Sequence, residues 1–158
     1  MGKIYQLKRE QQLYCDIQTA WDFFSSPHNL SRITPKEMGF VVLSNLPENE
    51  IYKGMIIDYT VSPALGIPLR WQTEITAVNY QQSFTDFQKK GPYKLWRHHH
   101  EFIPNRLGVM MVDTVDYELP FGFIGKIAHG LMVKKKLNAI FNFRHQVLED
   151  LFNPALKF

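Results

Sequence analysis

The sequence has a single cysteine, Cys15, among its 158 residues. One thiol excludes an internal disulfide and fits a reducing compartment, so we expect a cytoplasmic location. No apolar run approaches the roughly 20 residues that a membrane-spanning helix needs, so no stable membrane insertion is predicted. Residues 1–5 alternate between apolar and polar side chains, which predicts a strand and not a signal peptide.

Charged residues are few and only slightly unbalanced. They make up 21% of the chain, too little for disorder, and their formal sum is +3. The lysines and arginines are scattered, apart from a run at residues 134–136, so no nucleic-acid partner is predicted. This run is more typical of the solvated side of a helix than of a contact with an anionic surface.

Repeats, low-complexity tracts and linkers are also missing, which predicts one domain over residues 1–158. Aromatic residues, in contrast, are abundant at 14%, with 12 Phe and 7 Tyr, and the hydrophobic fraction is an ordinary 45%. Because each aromatic side chain buries a large area, a chain of this length can form a substantial core.

Apolar–polar alternation predicts strands at residues 4–14, 40–43, 55–61, 69–78, 83–88, 95–103 and 109–119. Two short helices should follow the first strand, one capped by Asp16 and one starting at Pro27. The long C-terminal helix, ending near residue 152, has an apolar stripe formed by Val133, Leu137, Ile140, Phe141, Leu148 and Leu151. Arg144 and His145 lie late in this helix, where positive charge favours the helix dipole, and a structural role is predicted for both.

The predicted architecture is α+β. Short turns between successive strands indicate an antiparallel meander, and both the sheet and the helix must bury an apolar face. The simplest solution is a curved sheet of about seven strands wrapped around the C-terminal helix, a helix-grip arrangement. The concave face of such a sheet is larger than one helix can fill, so we expect a cavity between the two.

The most informative stretch is residues 96–102. At period two, Trp96, His98, His100 and Phe102 share one face of a strand, and the intervening residues are polar. A symmetric turn after this strand pairs His100 with Asp113, and pairs Phe102, His98 and Trp96 with Met111, Val115 and Tyr117. The preceding turn places Asp86 beside Trp96 or His98. Directly opposed residues have Cβ atoms about 4.5–5.5 Å apart, so two His–Asp pairs are predicted on the concave face.

Several motifs along the chain resemble those of one superfamily. They are Trp21-Asp22-Phe23-Phe24 with Pro27, Asn29-Leu30, Ile33-Thr34-Pro35, Arg70-Trp71, Glu74-Ile75, Phe84, Asp86, Gln88, Gly91-Pro92-Tyr93, Trp96, His98, His100, Phe102, Asp113, Val115, Tyr117 and Leu119-Pro120-Phe121-Gly122. The chain resembles the SRPBCC superfamily, also called the START or Bet v 1-like helix-grip fold, and within it a bacterial subgroup of short stand-alone proteins, some labelled polyketide cyclase-like. The resemblance implies the fold over nearly the whole chain. It does not choose a function, because the superfamily includes lipid carriers, hormone receptors and cyclases.

The predicted cavity combines apolar walls with a few polar groups, which is typical of a small-molecule site. The candidate ligand-binding residues are Trp71, Thr73, Phe84, Asp86, Gln88, Trp96, His98, His100, Asp113 and Tyr117. The favoured function is therefore binding of a small, mainly apolar ligand: a lipid, a polyketide-like compound or an aromatic compound.

Other interpretations of the polar cluster stay open. The His–Asp pairs could form a purely structural network, since buried polar groups must be paired. They could also be catalytic, with His100 held by Asp113 as the general base of a cyclase or dehydratase. His98 and His100 have a spacing that suits metal ligands, with Asp86 or Asp113 as a third ligand. Because each ring already has a carboxylate partner, neither a metal nor another cofactor is predicted.

Apolar loop residues are predicted to surround the mouth of the cavity. They are Leu65, Ile67, Phe121 and Phe123, with Ile124 beside them. These residues could form a rim that admits the ligand or touches a membrane or a protein partner, or they could simply plug the open end. A protein-interaction module acting through this rim is therefore the third candidate function.

Overall fold

The computed structural model describes residues 2–46, 50–62, 66–122 and 132–154. The strands are β1 (Tyr5–Leu13), β2 (Val41–Val42), β3 (Ile56–Val61), β4 (Leu69–Asn79), β5 (Ser83–Lys90), β6 (Leu95–Asn105) and β7 (Gly108–Glu118). The helices are α1 (Ile17–Phe24), two 3₁₀ helices (Pro27–Ile33 and Lys36–Met38) and α2 (Lys134–Phe152).

The strands form one antiparallel sheet in the order β1-β7-β6-β5-β4-β3-β2. Strands β2 to β7 follow one another as a meander, and β1 joins the free edge of β7. The predicted α+β helix-grip architecture, a curved sheet around a C-terminal helix with short helices after the first strand, is confirmed.

Three local details differ from the predictions. The second short helix is a 3₁₀ helix, and another 3₁₀ turn follows it. Strand β2 has two residues where four were expected, because the amides of Leu43 and Ser44 both bond to the carbonyl oxygen of Asp58 and end the regular ladder. Strands β5 and β6 each extend two residues further than predicted.

Helix α1 begins as the sequence predicts. The carboxylate of Asp16 accepts a hydrogen bond of 2.7 Å from the backbone N–H of Thr19, which satisfies one of the free donors of the first turn. The buried Trp21 then packs edge-on against Phe84 and Phe102 of the sheet. This contact fixes α1 over one end of the concave face.

Helix α2 faces the sheet with Leu137, Phe141, Arg144 and Leu148, which are buried at spacings of four, three and four. The predicted stripe is correct at its centre, but Leu151 is 38% exposed. Arg144 takes a position within the stripe, so the interpretation that placed its charge at the helix dipole does not describe it. None of the helices in the described residues is both long and apolar enough to cross a bilayer.

Candidate functional site

The concave face of β6 carries the side chains that the alternation predicts. In the β6–β7 ladder, His100 lies opposite Asp113 and His98 lies opposite Val115. On the other side of β6, His98 lies opposite Asp86 of β5. The predicted backbone register is confirmed, and it brings both histidines and both aspartates into one cluster, which we call the His–Asp cluster (Asp86, His98, His100 and Asp113). His98, His100 and Asp113 are buried, and Asp86 is partly buried.

The hydrogen bonds of this cluster run diagonally across the register. His98 Nε2 lies 2.9 Å from Asp113 Oδ1, and His100 Nε2 lies 2.9 Å from Asp86 Oδ2. The directly opposed His100 Nδ1 and Asp113 Oδ1 are 3.0 Å apart, but without hydrogen-bond geometry. Side chains lean along the strand, so an imidazole can reach a carboxylate two residues away from its backbone partner.

The two imidazole rings lie against each other at a tilt. Their centroids are 3.8 Å apart with an interplanar angle of 33°, and Phe84 stacks on the outer face of His100 at 4.1 Å. Phe141 of α2 meets His98 edge-on at 5.8 Å. Packing and hydrogen bonds together fix both rings, which is the condition for a precise recognition or catalytic site.

Arg144 of α2 contacts Asp113 of this cluster from the helix side. Its Nη2 atom lies 3.5 Å from each carboxylate oxygen of Asp113. Its guanidinium carbon lies 5.7 Å from the ring centroids of Phe24 and Phe141. The pattern could have identified this residue, because Arg144 is three residues after Phe141 and four before Leu148.

The protonation states follow from these contacts. Burial and the neighbouring His100 lower the pKa of His98 below the ordinary 6.5. Burial also acts to lower the pKa of His100, but contacts with Asp113 and Asp86 outweigh it and raise this pKa. Burial would raise the pKa of Asp113, whereas Arg144 and the two rings hold it well below 3.8. Near neutral pH, Asp113 is therefore a carboxylate that only accepts, so neutral His98 donates from Nε2 and keeps a lone pair on Nδ1.

A cavity of about 500 Å³ lies between the sheet and α2. Most of its wall is apolar, with contributions from α1, the first 3₁₀ helix, the sheet and α2. The predicted site residues that line it are Trp71, Thr73, Phe84, Asp86, Trp96, His98, His100 and Phe121. The polar members come from neighbouring strands, so the cavity has a polar patch on an otherwise apolar surface.

Gln88, Asp113 and Tyr117 were predicted to contact the ligand but are not among the lining residues. The Gln88 amide closes the β5–β6 turn, donating to the Tyr93 carbonyl oxygen at 2.6 Å and accepting from the Tyr93 amide at 3.3 Å. A Cβ atom at Gly91 would require this side chain to shift. Asp113 supports the histidines, and Tyr117 stacks on Tyr5.

Two lining tyrosines were not expected from the sequence. The hydroxyl of Tyr59 bonds to the Thr73 hydroxyl at 3.1 Å, and burial raises the pKa of Tyr59 and of Tyr93. Tyr59 shares its period-two face with Ile57 and Val61, so alternation could have identified it. Tyr93 lies in a turn, where no periodic signal exists.

The predicted rim is described only in part. Ile67 is 57% exposed, and Phe121 is 80% exposed at the edge of the cavity with a φ of 67°. Leu65, Phe123 and Ile124 lie outside the described residues. The role of the rim therefore stays a prediction.

Asp86, His98 and His100 also form the grouping that the sequence offered for a metal. Each contributes one possible ligand atom, and these atoms lie within 4.8 Å of one another. Nε2 of each ring, however, already has a carboxylate partner, Asp113 for His98 and Asp86 for His100. The absence of a metal therefore stays a prediction.

No model of a known protein family matches the chain, and no curated protein matches it. Solved structures do. A protein from Thermus thermophilus is 16% identical, with a TM-score of 0.69 over 98% of this chain and 100% of that one. The major latex-like protein 151 from Panax ginseng is 14% identical, with a TM-score of 0.67 over 96% and 99% of the two chains.

A third solved structure is a Thalictrum norcoclaurine synthase point mutant in complex with a transition state analogue. It is 14% identical, with a TM-score of 0.64 over 95% of this chain and 97% of that one. At such identities the similarity establishes the fold alone. The chain therefore shares the helix-grip fold of these solved structures.

Proposed function

We propose that the protein binds a small, mainly apolar ligand, such as a lipid, a polyketide-like compound or an aromatic compound, in the cavity between the sheet and α2. The observation that carries this proposal is the cavity itself. Its volume of about 500 Å³ falls within the range of roughly 300–1,000 Å³ that is usual for ligand sites. A mostly apolar wall of this size favours a ligand whose own surface is mostly apolar.

The polar patch supports the same proposal by giving the ligand an orientation. Asp86, His98 and His100 reach the cavity from two adjacent strands, next to Thr73 on β4. A few fixed polar groups in an apolar pocket bind the polar end of a ligand and leave the rest to the hydrophobic wall. A purely structural network would not need to face a cavity.

One of the solved structures with this fold supports a small-molecule function. The norcoclaurine synthase structure is a complex with a transition state analogue, so this fold accommodates a small molecule in that protein. The analogy supports a cavity function in general and chooses no ligand. The single cysteine is the basis for proposing a cytoplasmic setting.

Native mass spectrometry of the untagged protein, purified from its own host, tests the proposal. We expect a second species whose added mass is released as a lipid or an aromatic compound on denaturation. A spectrum of the protein alone, together with no thermal shift across a panel of lipids and polyketides, would contradict the proposal.

An enzyme of the cyclase or dehydratase type is the second candidate. The observation that favours it is the 2.9 Å contact between His98 Nε2 and Asp113 Oδ1. A carboxylate that orients a neutral imidazole leaves the opposite nitrogen free to remove a proton. In this arrangement the general base is His98 and not His100, because hydrogen bonding to Asp86 occupies His100 Nε2.

A protein-interaction module acting through the rim is the third candidate, and the exposure of Ile67 and Phe121 supports it. Two exposed apolar side chains are a weaker argument than an enclosed cavity, since single exposed apolar residues are common on monomers. Ligand binding is therefore the function that the geometry supports best.

A further inference from the structure

In the part of the chain that the structure describes, the unpaired buried side-chain atoms are all nitrogens. Among the described residues, the buried side-chain polar atoms without a hydrogen-bond partner are Trp21 Nε1, Trp71 Nε1, His100 Nδ1 and Arg144 Nε. Trp71, His100 and Arg144 line the cavity. Indole and guanidinium nitrogens can only donate, so the cavity has buried donors that lack acceptors.

Arg144 has the poorest hydrogen bonding of these residues. Its side chain is 8% exposed, and its Nε–H has no acceptor. Its contacts with Asp113 are 3.5 Å long, whereas charge-assisted N–H···O bonds are usually about 2.7–2.9 Å. A buried guanidinium that is bound so loosely retains donors for another acceptor.

Asp113 contacts only Nη2 of the guanidinium, at 3.5 Å from each of its oxygens. Its Oδ1 atom also receives the hydrogen bond from His98 and lies 3.0 Å from His100 Nδ1. The Nε–H of Arg144 is left without an acceptor. Because Arg144 lines the cavity, a ligand there can supply this acceptor.

The charges of the wall favour an anionic acceptor. Asp86 is the only acidic residue among the described lining residues, and His100 hydrogen-bonds it at 2.9 Å. Apart from the histidines, the cationic residues among the described lining residues are Arg144 and Lys136, both on α2. The α2 side of the cavity thus presents positive charge without a lining acid of its own.

We propose that the ligand carries a carboxylate, which accepts hydrogen bonds from Arg144 while the apolar remainder fills the cavity. This inference rests on the proposed ligand-binding function and names the chemical class of the ligand. A planar guanidinium matches the two oxygens of a carboxylate, which a neutral hydroxyl cannot reproduce. The unpaired Trp71 N–H, in the same cavity, accommodates a further oxygen on the ligand body.

Two matched probe pairs test the head group: decanoate against 1-decanol, and 2-naphthoate against 2-naphthalenemethanol. Each pair keeps the apolar body and changes only the head. By titration calorimetry we expect the acid to bind at least about tenfold more tightly than the alcohol in at least one pair, as a charge-assisted bond in a buried site implies.

The two proposals fail in distinguishable ways. If the alcohols bind as tightly as the acids, the carboxylate inference is overturned and the ligand-binding function stands. If neither acid nor alcohol of either pair binds, and native mass spectrometry also finds no ligand, both proposals are overturned.

Variants locate the effect at Arg144. Arg144→Met should reduce the preference for the acid to about that for the alcohol, without weakening binding of the alcohol. Lys135→Met, on the exposed side of the same helix, is the matched control and should preserve the preference. A folded Arg144→Met protein that keeps the full preference would overturn the inference.

Arg144→Met leaves Asp113 without its cation and could prevent folding. Arg144→Lys keeps a positive charge near Asp113 and removes the guanidinium fork. With this variant we expect the preference for the acid to fall several-fold, because a single ammonium cannot bind both carboxylate oxygens as a planar pair. An unchanged preference in a folded Arg144→Lys protein would also overturn the inference.

Discussion

His98 and Asp113 are offset by two residues across the β6–β7 ladder, yet His98 Nε2 lies 2.9 Å from Asp113 Oδ1. Asp113 also lies within 3.5 Å of Arg144 and is almost completely buried. One carboxylate on β7 thereby joins two strands to the C-terminal helix. The stability of the helix-grip fold and the chemistry of the cavity consequently depend on the same carboxylate, that of Asp113.

Asp113→Asn should lower the free energy of unfolding by about 3–5 kcal/mol, because it leaves the buried Arg144 without a countercharge. Urea denaturation measures the loss. Asp116→Asn is the control on the same strand: Asp116 forms a salt bridge with Arg97, but on the solvent side of the sheet, where such pairs contribute about 0–1 kcal/mol. Equal losses in the two variants would mean that Asp113 does not hold the cluster together.

The pKa values of the two imidazoles should be shifted in opposite directions from the ordinary 6.5. We expect His100 to titrate above this value and His98 below it. At a pH between the two midpoints, nitrogen-detected NMR of the imidazoles should show His98 with a proton on Nε2 alone and His100 with both nitrogens protonated. The reverse order of the two midpoints would refute the assignment.

The same shifts determine how stability depends on pH. The contribution of His100 is complete below 6.5 and is lost as pH rises through its raised pKa. The contribution of neutral His98 is lost as pH falls from 6.5 towards its lowered pKa. Relative to wild type, His100→Gln should therefore lose more stability at mildly acidic than at alkaline pH in urea denaturation.

Filling the cavity should block ligand binding without unfolding the protein. Ile57→Trp places a large ring inside the cavity, and we expect the affinity for decanoate or 2-naphthoate to fall by about tenfold or more, with a stability cost of about 1–3 kcal/mol from overpacking. Its neighbour Ile56 is 40% exposed on the other face of β3, so Ile56→Trp is the control. Equal affinities in both variants would place the ligand elsewhere.

Histidine substitutions separate a carrier from an enzyme. If the protein is an enzyme, His98→Gln should abolish turnover of a polyketide-like substrate, whereas a carrier would lose only affinity. His99→Gln is the control, because His99 faces away from the cluster and contacts Thr85 at 2.8 Å. Full turnover in His98→Gln would remove His98 as the general base and return the role to the predicted pair of His100 and Asp113.

Metal analysis of the untagged protein should find no stoichiometric divalent metal. The rings of His98 and His100 are each hydrogen-bonded to a carboxylate through Nε2, so these two nitrogens already have partners. Inductively coupled plasma mass spectrometry gives the ratio of metal to protein. One equivalent of zinc that is lost in Asp86→Asn would contradict this prediction.

The sequence alone determined the fold and the register of the site. Alternation in β6 placed His98 and His100 on the concave face, and a symmetric turn paired His100 with Asp113. The cap of α1 also depends only on nearby residues, because the carboxylate of Asp16 accepts from the amide of Thr19, three residues later. These features depend on neighbours in sequence or on the period of a strand, and both can be read directly from the chain.

Only the tertiary structure decided how the side chains are paired. Backbone register does not determine rotamers, so the diagonal hydrogen bonds of the His–Asp cluster depend on packing by Phe84 and Phe141. Gln88 turned to the Tyr93 backbone because a nearby turn offered both a donor and an acceptor. Arg144 could be buried because folding brings Asp113, a residue 31 positions earlier, beneath it. A charge in an apolar stripe gains its partner only when the helix and the sheet meet.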